Sequence, residues 1–294
     1  MKIGFIGLGQ MGAPMARRLL SGGHELVVLD TQADAVQPFI AGGALAARTP
    51  REVADAARVI FACLPTTDAV KQVACGDAGV AGGAATRIFI DLSTTDPERA
   101  ARIAQQLAGR SIAMLDSPVS GGVPRAEAGT LTVMVSGAKQ TLDEVRGLLE
   151  SFGTLHHLGE TPGSAQVMKL INNLLSATAF TVTAEAMVMG VKAGLGASQM
   201  LQVLNSGTGR NTATEYKFPD TILPRTFKLG AATSVLLKDV SLCAEQAARL
   251  GLELSLAQPI LDLWEQVAKE QGSDSDYSEI VKMLERRAGV EVNA

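Results

Sequence analysis

Residues 2–16 read KIGFIGLGQMGAPMA, and the reading of that run decides the fold. KIGFI has the apolar, β-branched and aromatic character of a buried strand, and Pro14, Met15 and Ala16 open a helical stretch. Between them Gly7, Leu8, Gly9, Gln10, Met11 and Gly12 form G-x-G-x-x-G. The match is weak alone and strong between a strand and a helix. Glycines there permit a tight turn and close backbone approach, so that a pyrophosphate rests on N–H groups at a helix N-terminus. A Lys before an apolar run also resembles a signal peptide, but this run is short, broken by glycines and followed by Arg17 and Arg18.

The next strand, residues 25–29, leads to Asp30. A carboxylate at this spacing accepts hydrogen bonds from an adenosine ribose and repels a 2′-phosphate. Thr31 and Gln32 follow with no arginine, so the pattern favours NAD and leaves NADP possible; an N-cap role for Asp30 is the alternative. Leu64 and Pro65, after the strand at 58–63, are placed along the adenosine side of a crevice, although Pro65 could equally be a strand terminator. Further strands are expected at 87–92, 112–116, 131–136 and 155–158.

Strands alternating with helices predict a parallel, doubly wound α/β sheet of Rossmann type. After Pro162 the pattern changes. Residues 164–193 contain no convincing breaker and predict one helix about 45 Å long at 1.5 Å per residue. Beyond it only helical signals follow, at 197–205, 235–250, 258–270 and 277–287, with 206–232 expected to be irregular. The expected organisation is a dinucleotide-binding domain over 1–162 and an all-helical substrate and oligomerisation domain over 163–294, joined by the long helix.

Composition narrows the function classes. The 294 residues carry 26 basic and 30 acidic side chains, a formal charge of -4, with no basic run of the kind that tracks a phosphate backbone, so nucleic acid is not an expected partner. No continuous apolar run approaches the roughly 20 residues that span a bilayer, so no membrane partner is expected. Three cysteines, Cys63, Cys75 and Cys243, lack CxxC spacing and suggest neither a disulfide framework nor a metal site. They fit a reducing cytoplasm.

A hydride-transferring enzyme needs a group to take or return the hydroxyl proton. Zinc is not suggested, because His24, His156 and His157 have no ligand spacing with the cysteines. A tyrosine–lysine pair four residues apart is absent, since Asp220 follows Tyr216 and Val281 follows Tyr277 at that offset. The remaining candidate is Lys169 on the long helix. On a helical wheel Lys169, Asn172, Asn173, Ser176 and Phe180 share one side. A desolvated lysine there could serve as acid–base with Asn173 one turn away; a lysine whose ammonium reaches solvent is the competing reading.

The runs GLGQMGAPMA (7–16), DLST (91–94), DSPVSGG (116–122) followed by AGTL (128–131), GSAQVMKLINN (163–173) and LLKD (236–239) resemble, in this order and over nearly the whole chain, the β-hydroxyacid dehydrogenase family. Its members include 3-hydroxyisobutyrate dehydrogenase and tartronate semialdehyde reductase. The resemblance implies an NAD(P)-dependent oxidoreductase that interconverts a small β-hydroxy acid and its semialdehyde, with Lys169 as acid–base and Asn173 its helix partner at the substrate. It further implies that Ser120, Gly121 and Gly122 hold the substrate carboxylate, that Thr94 contacts the cofactor near the nicotinamide, and that Lys238 closes over the cofactor.

From the residues alone, Ser120 to Gly122 could be an ordinary turn, and Lys238 and Asp239 would be a surface charge pair. Pro97 looks like a first helical residue, which gives the cap to Thr95 or Asp96 and leaves Thr94 for the cofactor. Val123-Pro124-Arg125-Ala126 looks closer to tartronate semialdehyde reductases, whereas Asp30 without a following arginine fits NAD-using members. Residues 206–218, SGTGRNTATEYKF, match neither; Arg210 could bind a second anion but reads better as a solvated loop residue. Imine reductases share this architecture but typically replace the lysine, and a non-catalytic relative would be expected to have lost Lys169 or Asn173. The long apolar helix favours a homodimer or homotetramer.

Overall fold

Alternation along the central strands sorts their side chains onto two faces. In the computed structural model, which describes residues 1–294, Ile3 and Phe5 of β1 (Lys2–Ile6) pack into one core while Ile6 packs into another. The same division sends Val59 and Phe61 of β4 (Val59–Ala62) one way and Ile60 and Ala62 the other. A period of two in a sheet covered on both sides produces nearly continuous apolar strands. Each fully buried Phe or Ile contributes about 1.5–3 kcal/mol by leaving water.

The chain divides into two compact units, residues 1–169 and 170–294. The first begins β1, α1 (Gly12–Ser21), β2 (Glu25–Leu29), α2 (Ala33–Ala41), β3 (Leu45–Ala46), α3 (Pro50–Ala56), β4, α4 (Thr67–Cys75), β5 (Ile88–Asp91), α5 (Pro97–Ala108) and β6 (Ala113–Asp116). All neighbouring strands are parallel, in the order β3-β2-β1-β4-β5-β6. Phe61 stacks on Phe5 and meets the edge of Phe152, with ring centres 6.0 and 5.6 Å apart.

A smaller sheet completes this unit: β7 (Val119–Ser120) runs antiparallel to β8 (Leu131–Val135), which pairs in parallel with β9 (Gly153–His157), interspersed with α6 (Gly122–Ala128) and α7 (Lys139–Glu150). β3 and β7 were not expected from the sequence. Each has two residues, too few to display a period. The other ladders are trimmed relative to expectation at Arg58, Cys63, Arg87, Leu92, Ile112, Ser136 and Leu158, and β9 starts earlier, at Gly153.

The long helix, α8 (Ser164–Lys192), begins in the first unit and continues through the second. By length and composition it could cross a membrane. Its early turns nonetheless carry Lys169, Asn172 and Asn173, and Phe180, Ala184 and Met187 are wholly buried in the helical core, as befits a core helix.

The second unit continues with α9 (Ala197–Ser206), α10 (Thr233–Arg249), α11 (Ala257–Gln271) and α12 (Ile280–Ala288). Its centre is aromatic: Phe180 contacts Phe218, Trp264 and Tyr277, and the indole N–H of Trp264 donates to Thr181 Oγ1 at 3.1 Å. The segment 206–232 is not wholly irregular, because Ala213–Ile222 forms a π-helix. Pro219 lies within it and, lacking an N–H, reads in sequence as a helix breaker. The wider winding appears where the Leu223 N–H reaches back five residues to the Phe218 carbonyl.

Candidate functional site

Parallel strands bring their carboxyl ends to one sheet edge, and the strand order reverses between β1 and β4, the usual place for a ligand crevice. Along that edge lie residues 7–12 after β1, Asp30 after β2, Leu64 and Pro65 after β4, and Ser93 and Thr94 after β5, while Ser120 ends β7 of the smaller sheet. The loop glycines are needed for different reasons. Gly7 has φ +94°, and a Cβ on it would lie 2.2 Å from the Cys63 carbonyl oxygen; one on Gly12 would lie 2.0 Å from the Gly7 carbonyl oxygen. Gly9 has no atom within 4 Å of that position, which leaves its backbone open to close approach by a ligand. α1 has no side-chain cap and no acid in its first turn, so its N-terminal N–H groups suit an anion.

Asp30 secures this loop. Its Oδ2 accepts from the Leu8 N–H at 2.6 Å and its Oδ1 from the Gln32 N–H at 2.8 Å. Gln32, not Asp30, is the N-cap position of α2, so the N-cap alternative does not hold. A carboxylate has about four acceptor positions, leaving capacity for ribose hydroxyls beside a charge that repels phosphate.

The neighbouring strand ends are cross-tied. Ser93 Oγ accepts from the Leu64 N–H at 2.8 Å. The Gln166 amide donates to the Ser93 carbonyl at 3.0 Å and accepts from the Thr95 N–H at 2.9 Å, so one side chain fixes the backbone on both sides of Thr94. Asp96 caps α5 through the Arg99 N–H, with Pro97 as the first helical residue. Pro65 is exposed and Leu64 half-buried. Burial pushes the adjacent Cys63 thiol up to about 12, which makes it inert rather than nucleophilic.

Asp116 and Ser136 hold the beginning of α8. The buried Asp116 carboxylate accepts from Ser136 Oγ at 2.7 Å, the Gly163 N–H at 3.0 Å and the Gln166 N–H at 3.3 Å. Ser136 Oγ accepts in turn from the Ala165 N–H at 3.0 Å. Burial raises the Asp116 pKa, while these hydrogen bonds act against the rise. One turn along α8 from Ala165 stands Lys169, only 8% exposed, which disfavours a lysine freely extended into water. Ser120, at the end of β7, is half-buried; Gly121 and Gly122 follow it, exposed and with φ of +141° and +74°.

In the second unit Asn173 Nδ2 donates to Asp239 Oδ2 at 2.6 Å, and its Oδ1 accepts from Asn172 Nδ2 at 3.0 Å. Lys238 Nζ is 3.1 Å from Asp239 Oδ1. Asp239 is 3% exposed, which corrects the expectation of a surface pair. The carboxylate orients the Asn173 amide and balances the Lys238 charge. Arg210 is paired with Glu215 at 3.0 Å.

Sequence reasoning missed Gln166, Ser136, Asp239 and the anchoring role of Asp116. The available signal was a polar residue inside or closing an apolar run, which indicates a buried partner without identifying it.

Known proteins resemble the chain over nearly its whole length. The profile for the NAD binding domain of 6-phosphogluconate dehydrogenase matches residues 2–184, and that described as NAD-binding of NADP-dependent 3-hydroxyisobutyrate dehydrogenase matches 163–284. The chain is 34% identical to 2-(hydroxymethyl)glutarate dehydrogenase of Eubacterium barkeri, covering 99% of this chain and 97% of that protein. It is 35% identical to NAD-dependent L-serine dehydrogenase of Pseudomonas aeruginosa, covering 98% and 99%. A solved structure of Mycobacterium tuberculosis 3-hydroxyisobutyrate dehydrogenase with L-serine superposes with a TM-score of 0.87 at 31% identity, covering 96% of this chain and 98% of that one. With the glycine loop, the strand-end residues and the α8 lysine in place, the chain belongs to the β-hydroxyacid dehydrogenase family, NAD(P)-dependent oxidoreductases of small hydroxy acids.

Proposed function

We propose that Lys169 is the acid–base group with which this dehydrogenase interconverts a small β-hydroxy acid and its semialdehyde, with NAD preferred to NADP. The observation that carries the assignment is a nearly buried lysine on a helix whose start is tied to the ends of β5 and β6 by Gln166 and Asp116. Rigid attachment suits a group that must meet one oxygen atom repeatedly. In the oxidation direction neutral Lys169 Nζ takes the hydroxyl proton, and as the ammonium it returns that proton in reduction. Bound nicotinamide supplies the hydride acceptor or donor.

Ser120 with the N–H groups of Gly121 and Gly122 holds the carboxylate, and Asn173, oriented by Asp239, steadies the reacting hydroxyl. The loop 7–12, Asp30, Leu64, Pro65, Thr94 and Lys238 hold the dinucleotide. The first unit is thus the cofactor domain and the second the domain of substrate selection. We place the enzyme in the cytoplasm and infer a homo-oligomer, because α8 exposes Met168, Leu175, Val182 and Met189 at seven-residue spacing. The substrate assignment is tested by following NADH and NADPH formation with 3-hydroxyisobutyrate, D-glycerate, serine, threonate and 4-hydroxybutyrate. Turnover of at least one with NAD supports it, and no NADH or NADPH formation with any of the five contradicts it.

A further inference from the structure

Lys217 stands apart from the ion pairs that occupy most other basic side chains of the helical unit. It lies on the π-helix Ala213–Ile222 and is partly buried. Its ammonium donates to Ser176 Oγ at 3.0 Å and lies 3.5 Å from the Ser176 carbonyl oxygen. It also lies 4.9 Å from the Phe180 ring centre and 5.4 Å from that of Tyr277. Ring faces and a hydroxyl support a cation without neutralising it, and a charge withdrawn from water is ordinarily balanced by an opposite one. No carboxylate forms an ion pair with it: its partners are Ser176 and Phe180 of α8 and Tyr277, whose phenol is held neutral by a pKa raised by burial.

The position suggests the missing charge. Ser176 follows Asn173 by three residues on α8, on the same side of the helix and about 4.5 Å further along it. A ligand steadied at Asn173 and extended by two or three carbons along the helix reaches Ser176 and Lys217. We propose that Lys217 and Ser176 form a subsite for a second carboxylate, making the preferred substrate a hydroxy acid with an acidic group at each end. This rests on the dehydrogenase reading above. Arg210, already paired with Glu215, is not needed for it.

The test combines kinetics with binding. In Lys217→Met, the ratio of kcat/KM for 2-(hydroxymethyl)glutarate to that for 3-hydroxyisobutyrate should fall at least about tenfold, chiefly through KM of the diacid. Independently of turnover, glutarate added with saturating NAD should raise the melting temperature of the wild type more than butyrate does, and Lys217→Met should abolish that difference. Should the variant not fold, the wild type suffices. Burial lowers the Lys217 pKa to about 8, so the glutarate advantage should shrink between pH 7 and 9.5 while butyrate is unaffected. An unchanged kinetic ratio, equal glutarate protection of both proteins, or glutarate protection that persists undiminished at pH 9.5 overturns the subsite. Inactivity with both hydroxy acids rejects the dehydrogenase reading alone, because the glutarate comparison is still read.

Discussion

The two units make their candidate binding groups from different materials. In the first, the proposed recognition is largely a property of backbone: the loop 7–12, the turn at Gly121 and Gly122, and α1 presented without a side-chain cap. In the second it is a property of side chains on helices: Asn173 set by Asp239, Lys238 against the same carboxylate, and Lys217 on Ser176. Backbone sites fail when volume is added, and side-chain sites fail when charge or a donor is removed. That contrast orders the expected effects of substitution.

The largest effect on stability and cofactor affinity is expected in the glycine loop. Gly12→Ala puts a methyl 2.0 Å from the Gly7 carbonyl; it should cost at least about 1–3 kcal/mol of stability by overpacking and weaken NAD on the order of 100-fold, roughly 2.7 kcal/mol. Gly9→Ala, with nothing within 4 Å, should leave the melting temperature nearly unchanged and still weaken NAD. Titration and thermal melts of both variants decide, and equal melting temperatures would break the contrast.

Next in size is Asp116→Asn. An amide in place of the carboxylate must turn its NH₂ toward a backbone N–H, so about 1–3 kcal/mol should be lost. The pH dependence has a definite sign. Because burial raises the folded pKa above 3.8, the folded state holds this proton more tightly. Its contribution to stability is therefore full below pH 3.8 and lost as pH rises through the folded value. Urea melts should show that downward slope in the wild type minus variant difference. A difference that rises with pH contradicts the account.

A smaller effect is expected at Asp30. The unaltered protein should favour NAD over NADP by at least about tenfold in catalytic efficiency, roughly 1.4 kcal/mol. Asp30→Ala should narrow the gap while weakening both cofactors, because the Leu8 N–H loses its acceptor. A wild type that prefers NADP would be incompatible with the assignment.

The contrast also explains what could be read in advance. Backbone requirements leave their mark in residue type, so the glycine loop, the doubly wound sheet and the long helix were all legible. Lys169 and Asn173 were legible because charge and amide on an apolar helix demand an explanation. Gln166, Ser136 and Asp239 act through partners that only the fold supplies, 71 residues away for the bond from Gln166 to Thr95 and 66 for that from Asn173 to Asp239. Nothing local distinguishes them from polar side chains that face water. The helix at Ala213–Ile222 was hidden by Pro219, which has no N–H to give to any helical ladder and so reads as a breaker, whereas the wide turn is closed by the Leu223 N–H on the Phe218 carbonyl.

The most direct measurement of the central claim is the turnover of Lys169→Arg beside Lys169→Ala. If Lys169 exchanges a proton with the reacting oxygen, alanine should lose on the order of 10²- to 10⁴-fold in kcat. Arginine should fail nearly as badly, since a guanidinium keeps its charge but cannot release a proton at working pH. NAD affinity should change little in either. An arginine variant that turns over close to the wild-type rate would contradict the acid–base assignment.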